Sequence, residues 1–158
     1  MTSHRFALVL AAFLVLAFAA QAQDKVTPDQ IPKKVMDALK AKFPKARIDV
    51  CTREKEGNDV VYDIEFMQEG RKFEADIKED GSIHNWERQI AAKDLPAPVL
   101  KTVQSKYPKA TLKDIMLITA VKDAPEGFEI TLTTADKKEV EVTVAPDGKL
   151  LEDSSTKK

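Results

Sequence analysis

The sequence contains few of the residues that staple secreted domains or build compact metal and catalytic sites. Its 158 residues include one cysteine, Cys51, and two histidines, His4 and His84. A single cysteine cannot close an internal disulfide, so the apolar core must hold the fold together. We expect Cys51 to behave as a buried small hydrophobe, which is the usual fate of a lone thiol.

Several functional classes also lack their sequence signals. All five glycines are isolated, which argues against a glycine-rich phosphate loop, and neither C-x-x-C nor H-x-x-x-H occurs. The net charge is −1 with lysines and acids interspersed, which gives no basis for nucleic-acid binding. A dyad of Cys51 and His84 is the remaining catalytic candidate, although lone thiols are mostly structural. We therefore predict a protein that is not an enzyme and carries no cofactor or metal.

The one long apolar run lies at the N-terminus. It extends from Phe6 to Ala20, follows His4 and Arg5, and leads into Ala20-Gln21-Ala22, with small residues at the positions that signal peptidase reads. The run is shorter than the ~20 residues that a membrane-spanning helix needs. We predict a signal peptide over residues 1–22, cleavage after Ala22, and a periplasmic or secreted protein that is not inserted in the membrane afterwards.

The rest of the chain is an internal repeat. Residues 31–48 align with residues 95–112 at a constant offset of 64, and the helix-ending motif Lys42-Phe43-Pro44 returns as Lys106-Tyr107-Pro108. Later landmarks match at offsets of 66 and 67, among them the two Asp-Gly dipeptides at residues 80–81 and 147–148. An ordered series of matches indicates two copies of one unit. We assign them to residues 23–90 and 91–158, which together form one globular unit.

Each copy is predicted to begin with a helix. One apolar stripe recurs at every fourth residue in each copy, which is typical of a helix with one buried face. Asp29 and Asp94 lie where an N-cap acceptor is expected, and Pro44 and Pro108 end the helices. We interpret both stripes as core, since helices this short need tertiary packing. The stripes are Ile31, Val35, Leu39 and Phe43, then Leu95, Val99, Val103 and Tyr107.

Four strands are predicted to follow each helix. Apolar and polar residues alternate from Tyr62 to Phe66, from Phe73 to Lys78, and again from Glu139 to Val144. Strict alternation is typical of an antiparallel sheet with one buried and one wet face, and each Asp-Gly favours a hairpin. The fold class is therefore α+β: two α-β-β-β-β repeats that form an antiparallel sheet with helices packed on one face.

The wet face of the sheet is the candidate binding surface. If Ile83 points into the core, alternation places both His84 and Trp86 on the wet face, where an exposed tryptophan would be a frequent kind of interface hot spot. The alternative is that a bulge or a strand end turns Trp86 back onto the core. The predicted partner-binding residues are Glu65, Met67, Glu74, Asp76, His84 and Trp86.

These motifs together resemble the PepSY-like, β-lactamase-inhibitor-like domains of bacterial periplasmic proteins. The resemblance rests on Lys42-Phe43-Pro44, Tyr62-Asp63-Ile64-Glu65, Asp80-Gly81-Ser82-Ile83 and their second-repeat counterparts, and it covers nearly all of the chain after the leader. It implies a curved sheet with helices on the convex side, whose concave face and loops grip a protein partner in the inhibitor relatives. Those inhibitors carry disulfides, which this chain cannot form.

Two functions compete at this stage. The first is an exported binding module that holds a protein or peptide of the cell envelope on the wet sheet face. One version of this function is inhibition of the bound protein or peptidase. The second is an envelope sensor that binds a small ligand or a metal cation through Glu65, Glu74 and Asp76. The residues leave the identity of the partner and the oligomeric state open.

Overall fold

Each repeat folds as one helix followed by four strands, as the alternation predicts. The computed structural model describes residues 24–120 and 122–156, so the predicted leader and its cleavage position lie outside the described residues. One short strand, β1, precedes α1 within the first repeat and was not predicted. The elements are β1 Asp24–Lys25, α1 Lys33–Lys42, β2 Arg47–Glu56, β3 Asp59–Gln68, β4 Arg71–Lys78, β5 Ile83–Gln89, α2 Ala97–Lys106, β6 Thr111–Ala120, β7 Pro125–Thr133, β8 Glu139–Val144 and β9 Leu150–Asp153.

The two repeats share a single sheet. All neighbouring strands are antiparallel, and their spatial order follows the chain from β1 to β9. The repeats join where β5 pairs with β6, with Glu87 directly opposite Ile118. This arrangement confirms the predicted α+β fold with helices on one face of an antiparallel sheet.

Both helices cover the same face of that sheet. Val35 and Leu39 of α1 are fully buried over strands β2 to β4, and Val99 and Val103 of α2 are buried over strands β6 to β8. Cross-strand pairs connect the two clusters: Phe73 of the first core lies opposite Arg88, which lies opposite Leu117 at the edge of the second core. The predicted stripes are therefore core, and no helix of the described residues lies on the other sheet face.

The helix starts differ from the prediction. A 3-10 turn precedes each α-helix, at Pro28–Gln30 and at Ala92–Asp94, and these turns contain Asp29 and Asp94. The residues at the helix N-caps are Pro32 and Pro96, so neither aspartate caps a helix. A proline fits there because it lacks the N–H that would otherwise be unsatisfied.

The Asp-Gly hairpins dock onto the helix starts. Gly81 has φ +91°, and a Cβ atom built on it would lie 2.9 Å from the carbonyl oxygen of Lys34. Gly148 has φ +90° and would meet the carbonyl oxygen of Pro98 at 2.8 Å. Both the left-handed conformation and the close approach require glycine. The dipeptides therefore serve the turn and also the contact between sheet and helix.

Matched β-bulges interrupt the last strand of each repeat. Asp76 pairs with Asn85 and Ile77 with Ile83, which leaves His84 as the extra residue. Leu151 is the extra residue at the corresponding place in β9. A bulge reverses the expected alternation beyond it, because one residue no longer has a cross-strand partner. The side chains of β5 after His84 therefore face opposite to the direction predicted from Ile83.

Candidate functional site

A row of carboxyl groups crosses neighbouring strands on the side of the sheet that turns away from the helices. Glu65 of β3 lies directly opposite Glu74 of β4, and Glu74 lies directly opposite Glu87 of β5. Side chains facing each other in this way have Cβ atoms about 5 Å apart, so like charges repel. We call this side of the sheet the open face and these three glutamates the acid row.

Acids from both repeats border the acid row. Asp63 and Asp76 face each other in the adjoining position of β3 and β4. The β5–β6 junction adds Asp114 of β6, whose Oδ1 accepts a hydrogen bond of 2.8 Å from Gln89 Nε2. Glu129 of β7 lies opposite Met116 on the same face. The open face therefore concentrates carboxyl groups, although the whole chain has nearly equal numbers of acidic and basic residues.

Lys72 is the cation at the centre of these acids. Its Nζ lies 2.6 Å from Glu74 Oε1, 3.5 Å from Glu65 Oε2 and 3.7 Å from Asp114 Oδ2. Burial alone would lower the pKa of Lys72, but the hydrogen bond to Glu74 and the charges of Glu65 and Asp114 outweigh it and hold that pKa above its usual value. One ammonium group is thus shared by carboxylates of both repeats.

The acids outside the Lys72 ion pairs have raised pKa values. Burial, reinforced by Glu129 and Glu74, raises the pKa of Glu87 to about 9. Burial also raises the pKa of Asp63 and of Glu129, each to about 7, with further contributions from neighbouring carboxylates. Charged carboxylates are costly here because burial removes their hydration and the neighbouring carboxylates repel them. The Oε2 atom of Glu87 is buried and has no hydrogen-bond partner among the described residues.

Asp76 and His84 meet near one end of the open face. Burial raises the pKa of Asp76 to about 6, although a hydrogen bond with Asn85 opposes the shift. His84 is exposed, and its charge lowers the pKa of Asp76 and of Glu56 by a smaller amount. The histidine is thus close enough to Asp76 and Glu56 to act on them electrostatically, although it occupies the bulge position itself.

Four of the other predicted residues are where alternation places them. Glu65, Met67, Glu74 and Asp76 lie on the open face and are all half-buried. Their position follows from the unbulged pairing of β3 with β4. Their role in binding a partner stays a prediction.

Trp86 does not lie on the open face, which corrects the prediction. It pairs with the core residue Ala75, and its ring centroid lies 5.6 Å from that of Phe43 and 6.3 Å from that of Phe73. Lys42 Nζ lies 5.2 Å from the Trp86 ring centroid, and Trp86 Nε1 donates to Asp123 Oδ1 at 3.3 Å. The bulge at His84 turns Trp86 toward α1, which is the alternative that the sequence left open.

The same bulge brings Glu87 to the open face, whereas unbroken alternation from Ile83 would place it in the core. Lys72, Asp114 and Glu129 were also missed. Glu129 could have been found, because it alternates with the buried residues Phe128 and Ile130. Asp114 could not, since its approach to Lys72 depends on how the two repeats join.

Apolar residues lie beside the acids on this face. Ile118 is directly opposite Glu87, and Met116 of the same strand is only 2% exposed although it belongs to neither helix-covered core cluster. Val61 of β3 lies on the same face as Asp63, two residues further along the strand, and is 1% exposed. The open face therefore combines charge with sheltered apolar surface.

The other candidate chemistries do not assemble. Cys51 lies in the first core cluster, where burial raises the pKa of its thiol to about 11, and His84 is exposed on β5. Among residues 24–120 and 122–156, no group of three or more His, Cys, Asp or Glu side chains is arranged to hold a metal ion. No helix in that same part of the chain combines the length and hydropathy required to cross a bilayer.

The repeated helix-and-sheet unit, with one sheet face left open, defines a fold class that is shared with known proteins. The sequence model of the family described as "Putative beta-lactamase-inhibitor-like, PepSY-like" matches twice, over residues 19–85 and residues 60–152. The chain belongs to this PepSY-like family. No curated protein matches the chain in sequence.

Solved structures from three Bacteroides species have the same fold. A protein of B. eggerthii described as "putative periplasmic" has a TM-score of 0.63 at 16% identity, covering 78% of this chain and 87% of that one. A DUF2874 family protein of B. uniformis has a TM-score of 0.61 at 14% identity, covering 77% and 87%. A BLIP-like protein of B. fragilis has a TM-score of 0.57 at 22% identity, covering 80% and 88%.

Proposed function

We propose that this protein is an exported, non-catalytic binding module of the cell envelope that holds a protein or peptide partner on the open face. The observation that carries the proposal is the acid row: Glu65, Glu74 and Glu87 lie side by side across three strands, and no helix in the described part of the chain covers them. Grouping like charges costs stability, so folding alone gives no reason to retain the row. A surface kept at such a cost is expected to serve recognition.

Family and location support the same proposal. The chain belongs to the PepSY-like family, and a protein of its fold is described as "putative periplasmic". The predicted leader at residues 1–22 agrees with an envelope address. A partner protein of the cell envelope would meet the module in that compartment. Inhibition of a peptidase is one form that such binding would take.

Site-specific photocrosslinking tests the proposal in the native host. A photoreactive amino acid replaces Thr131 or Met67, both on the open face, or as a matched control Lys40 or Lys101, which are exposed on the two helices. We expect a discrete crosslinked partner from the open-face positions and none from the helix positions. Equal adducts from both sides, or adducts from the helix side alone, would remove the open face as the binding surface.

A further inference from the structure

We propose that the open face recognises a partner segment bearing arginine or lysine side chains, which lie along the acid row. This inference rests on the proposed function and names the chemistry of the partner. Its basis is the combination, on one sheet face, of carboxyl groups that lack cations and apolar side chains beside them.

Several carboxyl groups of the open face have no cationic partner in the part of the chain that the structure describes. Lys72 forms ion pairs with Glu65, Glu74 and Asp114. Among the described residues, none of the ion pairs involves Asp63, Glu87 or Glu129. A partner that brings positive side chains would complement these groups, and such complementarity determines which partners bind and how fast they associate.

Lys72 is an example, within this chain, of a basic side chain bound on the open face. Its ammonium group reaches carboxylates on β3, β4 and β6 at once, while the side chain is about one-third exposed. Basic side chains also have apolar stems that pack on apolar surface while the charged end remains hydrated or paired. Ile118, directly opposite Glu87 and half-buried, offers such a surface next to the acid row.

The geometry favours basic side chains over a bound metal ion. A metal ion needs several oxygens converging on one point, whereas the acid row extends across three strands and therefore over about 10 Å. The described acids form no converging group of three or more. Several positive groups spaced along a polypeptide match a row of this length.

Binding is also expected to release protons. The open-face carboxyls with raised pKa values are partly protonated near neutral pH, and a nearby positive charge favours their ionised form. The groups that surround Glu87 are Asp63 and Glu65 on β3, Lys72, Glu74 and Asp76 on β4, Asp114 on β6 and Glu129 on β7. Since Lys72 is the one cation among them, added positive charge should ionise several carboxyls.

The test uses a fluorescein-labelled peptide of alternating Arg and Thr, with a citrulline-Thr peptide as its uncharged match. Anisotropy titrations use the chain from residue 23 at pH 7.5, in low salt and in about 0.3 M NaCl, where exposed charges are largely screened. We expect the arginine peptide to bind in low salt and weaken in high salt, and the citrulline peptide not to bind. Titration calorimetry in two buffers of different ionisation enthalpy should show proton release.

Matched variants locate the binding. Glu65→Gln with Glu74→Gln should weaken arginine-peptide binding about tenfold, because charge-assisted hydrogen bonds are lost. Asp37→Asn with Asp94→Asn removes the same charge from the exposed helix side and should leave binding unchanged. Thermal melting of every variant separates lost binding from lost folding.

Three results would overturn the inference: no binding of the arginine peptide by the folded wild type in low salt, equal binding of the citrulline peptide, or equal weakening by the helix-side control. Crosslinking from the open face together with no binding of the arginine peptide would keep the proposed function and reject only the basic partner. Peptide binding without an open-face crosslink in the host would contradict the proposed function instead.

Discussion

At the residue scale, equivalent positions of the two repeats solve one packing problem in two ways. Trp86 and Asp153 are 67 residues apart, the offset of the preceding Asp-Gly turns, and each lies two residues after the bulge position. In the first repeat Trp86 packs its ring against Phe43 and interacts with Lys42. In the second repeat the corresponding residues Tyr107 and Lys106 bind the Asp153 carboxylate instead.

Asp153 should contribute strongly to stability. Its carboxylate is buried and accepts hydrogen bonds from Tyr107 Oη at 2.8 Å and from the backbone N–H of Ser155 at 2.9 Å, and Lys106 Nζ lies 2.8 Å away. Burial alone would raise the pKa of Asp153, but these partners outweigh it and lower the pKa well below its usual value. We expect Asp153→Ala to cost about 2–3 kcal/mol in urea unfolding, because several donors lose a charged acceptor. A loss below about 0.5 kcal/mol, the range of ordinary surface substitutions, would contradict this account.

Cys51 should be chemically inert in the folded protein. Its side chain is 4% exposed, and burial raises the pKa of the thiol to about 11, so very little thiolate is present near pH 8. We expect almost no reaction with a disulfide reagent under native conditions and complete reaction in urea. Rapid modification of the folded protein would show that the core around Cys51 opens readily.

At the scale of the elements, glycines in hairpins that contact a helix should be less replaceable than glycines in hairpins that contact nothing. Gly81→Ala combines left-handed backbone strain with a clash against Lys34, so we expect a loss of about 2 kcal/mol or more. Gly70→Ala is the matched control: Gly70 has φ +79°, but a Cβ atom added to it would meet nothing within 4 Å, so strain alone should cost about 1 kcal/mol. Equal losses in denaturant unfolding would mean that the β4–β5 turn does not depend on its contact with α1.

The open face predicts how stability changes with pH. The pKa of Glu87 is raised from an ordinary 4.5 to about 9 by burial and neighbouring acids, so the folded state holds a proton that the unfolded chain releases. This contribution is complete below about pH 4.5 and is lost as pH rises toward 9. Asp63 and Glu129 act in the same direction up to about pH 7. We therefore expect the free energy of unfolding to fall between pH 5 and pH 9.

The substitution Glu87→Gln measures how much of this pH dependence comes from the Glu87 carboxyl. The variant should be more stable than the wild type at pH 9 by on the order of 2 kcal/mol, and its stability should vary less between pH 5 and 9. Glu139→Gln is the control, since Glu139 is exposed at the start of β8. If the two variants showed the same pH profile in chemical denaturation, the burial of Glu87 would not govern the pH response.

At the scale of the whole molecule, β2 near the edge of the described sheet differs in sequence from β6, its counterpart at the junction between the repeats. Where β6 presents Met116, Leu117 and Ile118 to β5, the corresponding residues of β2 are Thr52, Arg53 and Glu54. The short strand β1 pairs with Thr52 and Arg53 at this edge. Charged residues and a short covering strand are typical ways to prevent a sheet edge from recruiting another chain.

We therefore predict that the protein is a monomer in solution. Replacing Thr52, Arg53 and Glu54 by the residues of β6, as Thr52→Met, Arg53→Leu and Glu54→Ile, should favour displacement of the short strand β1 by the β9 edge of another molecule. Such head-to-tail contacts give open assemblies. Light scattering after size exclusion would detect them. A self-associating wild type, or a triple variant that remains monomeric, would show that the β2 edge does not control assembly.

The local sequence determined most of the architecture. The period of the apolar residues specified both helices and the alternating strands, and the matched dipeptides specified the hairpins, because each of these depends on neighbours close in the chain. The same alternation placed Glu65, Met67, Glu74 and Asp76 on the open face. These strands carry no bulge between them, so a period of two held throughout.

Only the tertiary structure decided the composition of the candidate site. The bulge at His84 depends on how β5 pairs with β4, and it exchanged Trp86 for Glu87 on the open face. The β5–β6 junction depends on contacts between the repeats, and it brought Asp114 to Lys72 across the boundary between the repeats. A single unpaired residue reverses every side chain beyond it, so a strand's alternation alone could not show which of its residues face the partner.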